Sequence, residues 1–160
     1  MTTTPSIASR AALAAAALFG GLDAAQAVPT QAATFCRPAG LVSNTGAFDG
    51  LVRSSWGVRN SSSTGYLPVL CPVVRTMEVP SGSALYVWVD GNAAGKSVSC
   101  TLYSYAYTGV LMGSSSINGS GIFDGYLSLP SSQVPMFSSQ VVSCMLPPNA
   151  ALFDIEPTVW

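Results

Sequence analysis

Histidine is absent from the 160 residues, lysine occurs once, and only 8% of the chain is charged. Each shortage excludes something. Without histidine there is no His-based triad, no Cys–His dyad and no His metal site. Six basic and seven acidic residues give a net charge of −1, and a chain so near neutrality lacks the basic patch that nucleic-acid binding requires. No G-x-S-x-G nucleophile motif occurs. The single lysine, Lys96, sits in a Gly- and Asn-rich segment, a poor place for a buried reactive amine. Cofactor chemistry has no motif to rest on, so no cofactor is expected.

What is present begins with a leader. Arg10 precedes an apolar run from Ala11 to Phe19, and Ala25-Gln26-Ala27 fits the small-x-small pattern of a cleavage point. Even extended to Leu22 the run is about 12 residues, against ~20 needed to span a bilayer. Residues 1–27 are therefore expected to be a signal peptide and residues 28–160 a single secreted or periplasmic domain, without a membrane span. Four cysteines, Cys36, Cys71, Cys100 and Cys144, then fall in an oxidising compartment. None is spaced C-x-x-C, so two disulfides are expected rather than a metal site. The favoured pairing is Cys36–Cys71 and Cys100–Cys144. The second pair is argued from matched segments, Val98-Ser-Cys100-Thr-Leu102 and Val142-Ser-Cys144-Met-Leu146, each placing V-x-C-x-L on one strand face. Each bridge closes a loop worth ~4 kcal/mol in chain entropy.

After residue 28 the pattern is short alternation punctuated by Gly, Ser, Asn and Pro. Strands are expected at 48–58, 65–70, 84–90, 97–107, 109–112, 122–129, 139–146 and 152–159, with loops at 60–65, 90–95, 114–121 and 130–135. About eight short strands without helical periodicity describe an all-β, antiparallel β-sandwich, jelly-roll-like or immunoglobulin-like. Parity assigns faces. Leu85, Val87, Val89, Val98, Cys100 and Leu102 should point inward. Tyr86, Trp88, Tyr103, Tyr105 and Tyr107 then share the outward face. Such a row of rings is the one positive functional signal, a candidate flat platform for sugar rings or a protein partner.

Other constellations are weaker. Asp90-Gly-Asn-Ala-Ala-Gly95-Lys96-Ser97 has only three residues between its glycines, one short of a phosphate loop, and its Ala94 and Thr101 fail the calcium-loop pattern. It reads as a hairpin turn. Asp154 and Glu156, two apart on a strand, could serve as a glycosidase-like carboxylate pair, or could merely decorate a solvated edge strand. Asn60-Ser-Ser and Asn118-Gly-Ser match the N-glycosylation triplet.

From Cys36 to Glu156 the order of features resembles a family of small, exported, uncharacterised bacterial proteins. The resemblance is carried by Gly57-Val-Arg-Asn60, Val69-Leu-Cys71-Pro72-Val73-Val-Arg75, Val87-Trp-Val89-Asp90, Val98-Ser-Cys100-Thr-Leu102-Tyr-Ser104, Cys144-Met-Leu146-Pro147 and Ile155-Glu156. The Cys-Pro-aliphatic-x-Arg element is its most specific part. It implies a secreted, disulfide-bonded β domain and carries no catalytic residue. The function expected is a secreted, non-enzymatic domain of unknown role. The alternative is a carbohydrate- or polymer-binding module acting on a polysaccharide or extracellular protein through the aromatic face, and a glycosidase-like hydrolase comes third.

Overall fold

The computed structural model describes residues 31–39, 50–75 and 78–159. The proposed leader and Val28 lie outside them. Among the described residues nine strands form: β1 (Gln31–Ala32), β2 (Arg37–Pro38), β3 (Leu51–Ser54), β4 (Gly57–Asn60), β5 (Leu67–Val73), β6 (Ala84–Tyr105), β7 (Leu111–Pro130), β8 (Ser139–Leu146) and β9 (Ala151–Val159). All pairings are antiparallel, and the hydrogen-bonded path runs β2-β5-β8-β6-β9-β4-β3, with β7 on β6 and β1 on β9.

The organising element is a hairpin of unusual length. β6 has 22 residues and β7 has 20. Leu85 to Asn92 of β6 pair with β9, and Ser99 to Tyr105 pair with β8. The two halves of one strand thus belong to two layers of a β-sandwich. Between them, residues 93–96 are opposed only by Gly121, so the ladder breaks and resumes at Ser97↔Ser120. Ala94 and Gly95 take positive φ there, and the Asn92 Oδ1 accepts the Ala94 N–H at 2.8 Å. A bulge of this kind bends a strand pair. The bend brings the ends of β7 together, where the Ser128 N–H donates to the Ser115 Oγ at 3.3 Å.

This corrects several local expectations. The 90–95 segment is a bulge inside one strand, not a hairpin turn, and residues 114–121 are strand, not loop. Their Ser, Asn and Gly content signals turns, but pairing along the whole ladder overrides that weak preference; Thr101 Oγ1 and Ser116 Oγ even meet across it at 2.8 Å. The single strand expected at 48–58 is the β3–β4 hairpin, with its start outside the described residues. It turns at Ser55-Trp56, where Gly57 has φ +146° and a Cβ would collide with the Leu152 carbonyl.

One core cluster takes Leu85, Val87 and Val89 from the first half of β6, and Val98, Cys100 and Leu102 from the second. Disulfides join Cys36 to Cys71 and Cys100 to Cys144. In the second, the cysteines are direct cross-strand partners of β6 and β8. Asn60 ties the layers together. It is fully buried, and its Nδ2 donates to the carbonyls of Gly65, Leu146 and Pro147 at 2.8–3.1 Å. Its amide is committed inside, so the first glycosylation triplet offers no accessible acceptor.

Candidate functional site

On the outward face of the first half of β6, register creates a small grid. Ser128, Tyr86 and Thr158 form one rung across β7, β6 and β9. Tyr126, Trp88 and Glu156 form the next, and Asp124, Asp90 and Asp154 the third. The inward residues between them, Val87, Val89, Leu127 and Ile155, are buried. The alternation that fills the core therefore delivers three aromatic rings and four carboxyl groups to one surface.

Tyr126 is the hub of the aromatic part. Its ring centroid lies 5.3 Å from Trp88 and 5.7 Å from Tyr86, with planes tilted by 55° and 56°. Tyr126 is 52% exposed, while Tyr86 and Trp88 are half-buried. Tilted contacts suit the ring quadrupoles better than a flat sandwich. The surface is thus a faceted cluster, and the flat row expected from sequence does not form. Tyr103 and Tyr105 make a separate pair at 6.2 Å and 28° in the second half of β6, and Tyr107, beyond the strand end, is 85% exposed. The five rings named from sequence divide into two groups because the bulge places the strand halves in different layers.

Asp90 lies between Asp124 and Asp154, and its Oδ1 is buried without a hydrogen-bond partner. Its carboxyl is pushed up to about 6, first by burial, then by the hydrogen bond to Asp124 and by repulsion from Asp124, Glu156 and Asp154. Burial, with Asp154 and Asp124 nearby, also raises Glu156. Every charge acting on Asp90 and Glu156 is negative. Among the described residues no group of three or more ligands is disposed to hold a metal ion.

Asp154 does not lie on a solvated edge, because β9 pairs with β6 on one side and, at Asp154 and Ile155, with β1 on the other. Neither Asp154 nor Glu156 borders the cavity described below. They stand two residues apart on the sheet face that carries Trp88 and Asp90, alternate residues of one strand and so ~6.6 Å apart along it. A cavity of about 310 Å³ lies elsewhere, lined by Glu78, Val79, Ser131 and Met136 among others, and no aromatic ring borders it.

Sequence reasoning missed Tyr126 and Asp124. Both sit in a segment expected to be strand, but the intervening 114–121 stretch read as loop hid the continuous β6–β7 register that puts them opposite Trp88 and Asp90. Reading β6 and β7 as one unbroken hairpin from the Ala106–Val110 turn, with allowance for the bulge, is the signal that finds them.

No family model matches the chain, and no curated protein matches it in sequence. Among solved structures it is similar to the carbohydrate-binding module TmCBM61 in complex with β-1,4-galactotriose, at TM-score 0.48 and 13% identity over 82% of this chain and 86% of that one. It is similar to carbohydrate-binding module CBM36 in complex with calcium and xylotriose, at TM-score 0.41 and 16% identity over 82% and 100%. It is also similar to the enzymatically active domain of tailspike protein 4 of bacteriophage CBA120, at TM-score 0.43 and 7% identity over 64% of this chain and 15% of that one. Two of these three are carbohydrate-binding modules, which corrects the expectation of a domain without an assignable role in favour of the carbohydrate-binding alternative. Likeness this distant describes an arrangement of strands, so the case for a ligand has to come from side chains.

Proposed function

We propose that the protein is an exported, non-catalytic carbohydrate-binding domain whose ligand lies on the outward face of β6, β7 and β9. The observation that carries this is the Tyr86–Trp88–Tyr126 cluster, held partly exposed on a rigid sheet and bordered by four carboxyl groups. Apolar faces of sugar rings stack on aromatic rings, and ring hydroxyls need acceptors. Trp88 and Tyr126 supply the stacking surfaces, Tyr86 buttresses Tyr126, and Asp124 and Glu156 flank the rings as acceptors. The two disulfides are those of a domain built for an oxidising compartment. Export follows from the leader pattern at residues 1–27.

Pull-down on a panel of insoluble polysaccharides, with wild type beside Trp88→Ala/Tyr126→Ala, tests the reading. Retention by at least one polymer, lost in a variant that keeps its fold by circular dichroism, is the expected result. Retention by none, or equal retention of both proteins, overturns it.

A further inference from the structure

The carbohydrate reading leaves one feature of this face unexplained. A site for neutral sugars needs a few acceptors, and two would suffice. This face concentrates four of the chain's seven acidic residues, Asp90, Asp124, Asp154 and Glu156, on three adjacent strands. Like charges directly opposite across a ladder are destabilising, and Asp90 meets one on each side. Among the described residues the basic side chains are placed elsewhere, Arg37 on β2 opposite Leu70. Arg53 donates to the Cys36 carbonyl, Arg75 to carbonyls of the 135–138 loop, and Lys96 lies 5.7 Å over the Tyr66 ring at the bulge. Arg59 on β4 pairs with Ala151, short of the acidic rungs.

We infer that the ligand is a polysaccharide carrying free amino groups, with its ammonium groups against the Asp124–Asp90–Asp154 row and its ring faces on Trp88 and Tyr126. This deepens the proposed function and rests on it. Three observations converge. The uncompensated negative charge calls for a cationic partner and repels uronate or sulfated polymers. The rings next to that charge present π faces, which also attract ammonium groups. The spacing fits too: adjacent strands are ~4.8 Å apart and alternate residues on one strand ~6.6 Å apart, so a carboxyl row and a ring row lie within one monosaccharide of each other. The raised Asp90 pKa reports the same unmet need, because a bound ammonium group would favour the ionised carboxyl.

The test compares soluble oligomers of one backbone, β-1,4-linked glucosamine and its N-acetylated form, with oligogalacturonate and a lysine oligomer, by titration calorimetry at about pH 6.5 and low salt. The free-amine oligomer should bind at least tenfold more tightly than the acetylated one, and oligogalacturonate should not bind. Asp90→Asn/Asp124→Asn should remove that preference, while Trp88→Ala should weaken both sugars together. Equal binding of the amine and acetyl forms overturns the amine inference and leaves the carbohydrate reading standing. Binding of the lysine oligomer as tight as that of the amino sugar overturns it as well, since charge alone would then suffice. Binding of neither sugar, in a protein that the polysaccharide panel also fails to retain, removes both.

Discussion

The two halves of β6 share one strand and one hairpin partner, yet the outward parity switches from even to odd at the bulge and their surfaces differ in kind. From Tyr86 to Asn92 the neighbours come from β7 and β9, and they are Tyr126, Asp124, Asp154 and Glu156. From Ser97 to Tyr105 they come from β7 and β8. There Ser99 faces Asn118 and Met145, Thr101 faces Ser116 and Ser143, and Tyr103 faces Ser114 and Val141. The second half has rings of its own in Tyr103 and Tyr105, but no carboxyl on any rung. Aromatic content alone therefore does not single out a site. What separates the halves is the company that register provides across neighbouring strands.

The largest effect concerns the core beneath the second half. Cys100→Ala/Cys144→Ala should destabilise the domain by about 2–5 kcal/mol, measured by chemical unfolding. A loss well below that range would mean that the cross-strand bridge is not what clamps this layer. Asn60→Ala should cost about 2–3 kcal/mol, since it leaves the buried Leu146 and Pro147 carbonyls at the end of β8 without their donor. A near-neutral result would show that the layers are held by apolar contact alone. Trp88→Ala should cost about 1–2 kcal/mol, between a surface change and a core deletion, because the ring is half-buried against Tyr126. Tyr103→Ala should cost about as much, so stability will not distinguish the halves while binding will.

The smallest effect is electrostatic and belongs to the first half alone. The folded Asp90 pKa is raised above the ordinary carboxylate value, so the folded state holds this proton more tightly than the unfolded state does. The resulting penalty is absent below the unfolded value and grows as pH rises toward about 6. Stability should therefore fall between about pH 4 and 6, by ~1 kcal/mol once solvent screening is allowed for. Asp90→Asn should flatten that slope in urea melts across the range. An unchanged slope would mean that the acidic row is solvated well enough to carry no strain.

Much of the fold was legible because it depends on period and on cysteine chemistry. Alternation placed Leu85, Val87, Val89, Val98, Cys100 and Leu102 inward, and the matched V-x-C-x-L segments indicated the β6–β8 bridge. The length of the hairpin was not legible. Asp90 to Ser97 and Ser114 to Gly121 carry every local mark of turns, and only a completed ladder shows that both lie within strands. The site was half legible for the same reason. Its β6 residues are visible from one strand's parity, whereas Tyr126 and Asp124 join it through register with a partner. Asp154 and Glu156 were visible as a pair, but not as neighbours of Asp90.

The most direct test of the central claim is a comparison of Trp88→Ala/Tyr126→Ala with Tyr103→Ala/Tyr105→Ala, each titrated calorimetrically with the polysaccharide fragment that the wild type binds best. A nucleobase stacked on an aromatic side chain is worth about 1–3 kcal/mol, and a sugar face stacked on Trp88 or Tyr126 is expected to be worth a similar amount. The first variant should therefore lose at least about thirtyfold in affinity, and the second should stay within about twofold of wild type. Equal losses in the two variants, or a larger loss in the second, would contradict the assignment of the site to the acidic half of β6.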